Sequence, residues 1–320
     1  MKLRHSQILT GLLALTLLGG TACKQAKLSK EAKLKKETQG RTGTELVEQA
    51  QLMLHRKKWQ EARKILRLLE ENLPSSKEYP RAKLLLGDSF FFAGSPSYPE
   101  ALVEYQSFLT YFPRHEMRPY AQYHTALCHY ATIETAERDQ SETRKAIDSF
   151  QKLIEEAPGS PYATDAKAKI NQCWRRLAEA ELTVGIFYAK AYPSSFAGQK
   201  RIQDALEAYP DFIDRERAYY YLGEVLRKRL VEPAQMDQYG KDYLARIGKD
   251  DFSNFSKEES RKFYLERNSF LDEEIVKFRA EAKNYYQKLV ESYPNSIWSA
   301  RAKDRLIEMG QANVKEELDS

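Results

Sequence analysis

The chain has 320 residues, room for one extended array or two compact domains. With 42% hydrophobic and 30% charged residues, and only 14 Gly and 12 Pro, it reads as folded and helix-rich, which argues against disorder. Its 51 basic residues against 46 acidic ones leave a formal charge of +5, too even for nucleic-acid binding on charge alone.

Residues 1–22 have the parts of a secretory signal peptide. A basic start (Lys2, Arg4, His5) is followed by an apolar run from Ile8 to Leu18 and by small residues from Gly19 to Ala22. The run falls short of the roughly 20 residues a permanent membrane helix needs. Gly20-Thr21-Ala22-Cys23 resembles the bacterial lipobox, with Gly20 standing where that motif usually has Leu. That resemblance implies cleavage before Cys23 and acylation of the cysteine, each buried CH₂ contributing about 0.8 kcal/mol to anchoring. Ordinary signal-peptidase cleavage after Ala22 also fits the small residues. Lys24 replaces the Asp that retains lipoproteins in the inner membrane of enteric bacteria, so the expected location is the periplasmic face of the outer membrane. Residues 23–41 are Lys-rich without apolar periodicity and read as a tether, either solvated or touching anionic head groups.

From there one pattern recurs five times: a small residue, an apolar one four later, another three later, and Pro five after that. It appears as Ala62-Leu66-Leu69-Pro74, Ala101-Tyr105-Phe108-Pro113, Ala146-Phe150-Leu153-Pro158, Gly198-Ile202-Ala205-Pro210 and Ala282-Tyr286-Leu289-Pro294. Steps of four and three share one helix face, the small residue admits a neighbouring helix, and Pro ends the helix. This is the second helix of a tetratricopeptide (TPR) unit. First helices precede each: Leu46, Ala50 and Met53; Leu84, Gly87 and Phe91; Tyr123, Ala126 and Tyr130; a long one from about Tyr162 to Lys190; and one carrying Gly223 and Leu226.

The expected fold is therefore all-α, a TPR superhelix of about five helix-turn-helix repeats over residues 42–310. The repeats fall at 42–77, 78–114, 115–160, 161–212 and 213–294, with a cap helix at 295–310 closing the open end and a flexible tail at 311–320. Repeat five is interrupted by an insertion at 231–277, in which helical pieces are expected near Met236–Ile247 and Lys257–Phe270. Asp251, Ser253 or Ser256 could cap the second piece. The insertion reads either as a partner contact or as a decorated loop.

Candidate chemistry is sparse. His124 and His129 are five apart, one more than two ligands on a helix face need, and read as surface or interface residues. Acidic pairs such as Glu70-Glu71 and Glu155-Glu156 read as solvated faces. No phosphate-cradling loop or nucleophile motif occurs, so no catalysis, cofactor or metal is expected. Cys128 and Cys173 lie on consecutive first helices and read as buried free thiols or, in an oxidising compartment, as a bridge. Aromatic runs at Phe90-Phe91-Phe92, Tyr111-Phe112, Tyr219-Tyr220-Tyr221 and Tyr285-Tyr286 cannot all face inward at ~100° per residue. They divide between packing and a groove suited to an aromatic-rich peptide.

Three local sequences go beyond a generic TPR protein: Glu137-Arg138-Asp139-Gln140 with Arg144-Lys145-Ala146; the Pro-Gly-Ser and Pro-Asn-Ser turns at Pro158 and Pro294; and, above all, Arg176-Leu177-Ala178-x-x-Glu181-x-x-Val184-x-x-Phe187-Tyr188. Together they resemble the BamD family, the lipoprotein component of the β-barrel assembly machinery, over residues 42–230 and 278–310. The resemblance implies an adaptor that docks on a BamA-like barrel protein through its last POTRA domain and receives unfolded outer-membrane proteins at its N-terminal repeats. It also implies that Arg201, within Arg201-Ile202-x-x-x-Leu206-x-x-Tyr209-Pro210, supports the BamA contact. A generic TPR lipoprotein scaffold in cell-envelope division or peptidoglycan assembly shares the architecture, without the long-helix signature.

Overall fold

The structure is a computed structural model that describes residues 40–191, 196–229, 233–253 and 255–318. Among them are twelve α-helices and no strand. They are α1 (Gly43–His55), α2 (Trp59–Asn72), α3 (Tyr79–Phe91), α4 (Tyr98–Tyr111), α5 (Arg118–Ala131), α6 (Ser141–Glu156), α7 (Ala163–Ala191), α8 (Phe196–Ala208), α9 (Arg215–Lys228), α10 (Pro233–Ile247), α11 (Lys257–Ser292) and α12 (Ile297–Leu318). Residues 1–22, expected to be a signal peptide, Cys23 and nearly all of the expected tether at 23–41 lie outside the described residues.

Helix starts follow local chemistry. Thr42 and Glu45 form a reciprocal capping box on α1, and Asp214 accepts the Arg217 N–H at the start of α9. In α3, α4 and α5 a Pro sits in the first turn, where its missing N–H has no helical partner to lose. All five small-apolar-apolar sets are buried, including the fully enclosed Tyr105, Phe108, Phe150, Leu153 and Tyr286.

The chain divides into two compact units. One comprises residues 40–132 with 148–167, the other 133–147 with 168–318; α6 and α7 contribute to both. In the first unit, α1 to α5 pack each on the next, and α1 also packs on α3. Its core holds Leu46, Ala50, Leu66 and Leu69 in one cluster and Ala101, Tyr105 and Phe108 in another. In the second unit, Leu182, Ile186, Ile202, Leu222, Tyr286 and Ala302 belong to one cluster, and α9 packs against α8, α11 and α12.

A close approach recurs. A Cβ added to Gly87 would stand 2.6 Å from the Tyr105 ring, and one added to Gly223 would collide with the Tyr286 ring. Each tyrosine then reaches the acid beside its glycine: Tyr105 donates to Asp88 Oδ1 at 2.7 Å, and Tyr286 to Glu224 Oε1 at 2.8 Å. The triplets Leu86-Gly87-Asp88 and Leu222-Gly223-Glu224 are thus one device used twice.

The insertion is built as an arm. Gly248, with φ +69°, ends α10, and Ser256 caps α11 in a second capping box with Glu259. Tyr239 stacks on Phe270 at 4.6 Å, while Phe263 meets Tyr243 at 4.9 Å and Phe252 at 4.7 Å. The piece expected to end near Phe270 instead runs unbroken to Ser292, 36 residues in all, or about 54 Å at 1.5 Å per residue.

Candidate partner-binding surfaces

In the first unit, a groove of about 380 Å³ is lined by Gln51, Leu54, His55, Trp59, Leu85, Asp88 and Phe92. Trp59 and the largely exposed Phe92 supply aromatic wall, and Leu54 and Leu85 apolar surface. Between His55 and Trp59 the α1–α2 turn carries Arg56, Lys57 and Lys58, all exposed, so cationic side chains flank the aromatic wall. Asp88 is buried beside it, its Oδ1 accepting from both Tyr105 and Tyr120 at 2.7 Å. Burial outweighs those two donors and pushes its carboxyl up to about 6.

The same two tyrosines pack on His124. Expected at a surface or interface, it is instead 7% exposed among Phe91 (5.1 Å between ring centroids), Tyr105 (5.2 Å) and Tyr120 (4.2 Å). Desolvation lowers its imidazole to about 4, so it packs as a neutral ring. A polar residue type in a helix read as solvent-facing until Phe91 and Tyr105 covered it. The aromatic runs divide as the 100° spacing requires: Tyr219, Tyr220 and Tyr286 are buried, Phe92 and Tyr111 exposed.

In the second unit, Arg201 lies on α8 facing α7. Its Nη1 is 3.1 Å from Glu181 Oε2, and its guanidinium lies 5.9 Å from the centre of the Tyr188 ring. Glu181 and Tyr188 are both signature positions of the long helix, so the motif and the arginine form one cluster. Sequence reading named the motif and Arg201 separately and missed their contact. The signal was Gly185, whose missing Cβ lets Ile202 and the Arg201 Cβ come close. Phe187, the signature residue next to Tyr188, is 60% exposed and meets it edge-on at 5.7 Å. Nearby, Arg217 on α9 pairs with Glu179 at 2.6 Å.

Cys128 and Cys173 are buried free thiols, pushed by burial up to about 12 and about 11. Among the described residues no cluster of three or more His, Cys, Asp or Glu could hold a metal ion, and no helix is long and apolar enough to cross a membrane.

A family model described as YfiO, outer membrane lipoprotein, matches residues 40–240, and a tetratricopeptide-repeat model matches residues 279–296. Curated relatives carry the name outer membrane protein assembly factor BamD. The one from Rickettsia prowazekii is 30% identical, over 73% of this chain and 86% of its own length. The Caulobacter vibrioides protein is 31% identical over 43% of this chain and 44% of its own length. The Haemophilus influenzae protein is 29% identical over 55% and 70%.

Proposed function

This chain belongs to the outer membrane lipoprotein family that includes the BamD assembly factors, and from that premise we propose that it is an adaptor which docks a BamA-like barrel protein at the Arg201 cluster and receives unfolded outer-membrane proteins in the α1–α3 groove. It is an outer-membrane protein assembly factor with TPR repeats, associated with the outer membrane, and not an enzyme. In the proposal residues 1–22 are removed as a signal peptide, Cys23 carries the lipid, and residues 23–41 tether the array 42–310 to the periplasmic face of the membrane.

The observation that carries the docking reading is the Arg201–Glu181–Tyr188 cluster. It supports a half-exposed guanidinium held at the surface between Glu181 and the Tyr188 ring, from where it can reach a carboxylate on a partner. The substrate reading is supported by the groove. An aromatic side chain near a free C-terminus can enter between Trp59 and Phe92 while its carboxylate meets the basic turn at Arg56, Lys57 and Lys58.

The test is a pull-down of the tagged, membrane-extracted protein with a matched Arg201→Glu variant, read by mass spectrometry. Wild type is expected to recover the BamA homologue and the variant to recover at least tenfold less. Equal recovery by both moves the interface away from Arg201, and no recovery by either removes the adaptor reading. In the same cells Cys23→Ala should abolish incorporation of labelled palmitate into the protein. Undiminished labelling of the variant would exclude Cys23 as the acylated residue.

A further inference from the structure

We infer that Asp88 makes the α1–α3 groove selective for an aromatic side chain that carries a hydrogen-bond donor, tryptophan or tyrosine, over phenylalanine. The inference rests on the substrate-receiving role proposed for that groove.

Two helix faces build the site. Leu85, Asp88 and Phe92 are three and four residues apart and form one stripe along α3, while Gln51, Leu54 and His55 form a stripe on α1, with Trp59 at the start of α2. Asp88 supplies the negative charge of this lining and is only 8% exposed. Its two oxygens are placed differently. Oδ1 accepts the hydroxyls of Tyr105 and Tyr120, both at 2.7 Å. Oδ2 accepts from no group among the described residues, yet it is not sealed off from solvent as the unpartnered His124 Nδ1 is. Oδ2 is therefore the oxygen that Asp88 presents to the groove it lines.

Such an oxygen sets a condition on whatever fills the groove. Burial raises the carboxyl only to about 6, so at neutral pH it is ionised and can only accept. An occupant that drives water from Oδ2 without donating to it leaves a charged acceptor unpaired, a loss larger than the gain from a hydrogen bond that is made. The ring of phenylalanine does this. An indole N–H or a phenol O–H replaces the bond to water, while its ring still covers Leu54, Leu85 and Phe92. Oδ1 shows the same carboxylate already holding two phenols. A lysine or arginine would also donate, but the exposed Arg56, Lys57 and Lys58 next to Trp59 oppose a cation.

The experiment titrates the full-length protein in mild detergent at neutral pH with fluorescein-labelled peptides, read by anisotropy. The peptides alternate Val and Ser and end, with a free carboxylate, in Trp, Tyr, Phe or 1-methyltryptophan, which keeps the indole ring but lacks its N–H. Wild type is expected to bind the Trp and Tyr peptides about tenfold tighter than the Phe and methylated ones. In Asp88→Asn the single carbonyl oxygen is taken by Tyr105 and Tyr120, which turns an N–H donor toward the groove. The preference for Trp over Phe should then vanish, while continued binding of the Phe peptide shows that the groove is intact. Should the variant bind no peptide, the wild-type comparison of Trp with 1-methyltryptophan decides alone. Equal affinity of wild type for the Trp, methylated and Phe peptides overturns the inference and leaves the groove reading standing, as does an Asn variant that keeps the Trp preference. If Phe92→Ala leaves every affinity unchanged, the peptides bind elsewhere, and the groove reading falls together with the inference. No binding by wild type removes both as well.

Discussion

Asp88 and His124 share the interior walled by Tyr105 and Tyr120, and burial acts on them in opposite senses. The aspartate is raised to about 6 from an ordinary 3.8, so between those pH values the folded chain holds a proton the unfolded chain has lost. Its contribution to stability is complete below about pH 4 and disappears as the pH rises through 6. The histidine is lowered to about 4 from 6.5. Between those values the unfolded chain binds the extra proton, so its contribution is present above pH 6.5 and disappears as the pH falls toward 4. The windows nearly coincide and the signs cancel. Denaturant unfolding of wild type from pH 4 to 6.5 should therefore change little on account of this pair. Asp88→Asn should make stability climb with pH across that range, and His124→Gln should make it fall, each by on the order of 2 kcal/mol. Parallel slopes in the two variants would dissolve the opposition. Glu224 does not confuse the reading. Burial works against its charge, but Arg227, Tyr286 and Arg305 outweigh this and lower it to about 2, so its contribution is lost only below about pH 4.5. A second residue-scale expectation concerns Gly223. Alanine there drives a methyl into the Tyr286 ring, which is fully buried and held by Glu224. Gly223→Ala should cost about 1–3 kcal/mol in urea unfolding, despite alanine's better helix propensity. A neutral or stabilised variant would mean the ring can step aside.

At the scale of elements, much was legible because the repeat has few ways to satisfy its pattern. Ala62, Ala101, Ala146 and Ala282 are all completely buried, as a small residue facing a neighbouring helix must be. The long first helix, expected from Tyr162 to Lys190, spans Ala163 to Ala191 because no Pro or early Gly interrupts it. The length of α11 was misjudged for a related reason. Residues 257–292 contain neither Gly nor Pro, so no stop signal breaks the helix near Phe270. The Glu181–Arg201 contact was hidden because the residues are 20 apart, on helices whose mutual rotation is set by the Gly185 approach. Within the arm, Phe263 is the ring that Tyr239, Tyr243, Phe252 and Phe255 all touch. Phe263→Ala should remove about 2 kcal/mol of local stability, the ring being only half-buried. Hydrogen exchange should then accelerate across residues 233–270 and stay unchanged in α1 to α5. Acceleration spread over both units would mean the arm's core is not its own.

For the whole chain, the family match ends at residue 240 and the repeat match resumes at 279, so residues 241–278 are covered by neither. The division follows the packing. Tyr239, Tyr243, Phe252, Phe255, Phe263 and Phe270 find ring partners among themselves. By contrast Leu222, Leu226, Phe278, Ala282 and Tyr286 lie in the second unit's core, and Arg229 is stacked 4.3 Å over Phe278. A TPR array needs only a short turn between the two helices of a repeat. Replacing residues 232–273 with a four-residue turn, keeping Arg229 and Phe278, should therefore leave a folded array whose thermal midpoint moves by no more than about 4 °C, the shift expected for roughly 1 kcal/mol at this size. Circular dichroism melting checks the fold, and the same protein in the pull-down checks the role. Recovery of the BamA homologue at wild-type level would exclude the arm from docking, whereas loss of recovery from a protein that melts normally would place the arm in the interface. Collapse of the midpoint by tens of degrees would mean that α11 stabilises the last repeat through its full length, and that the arm is a structural part of the array.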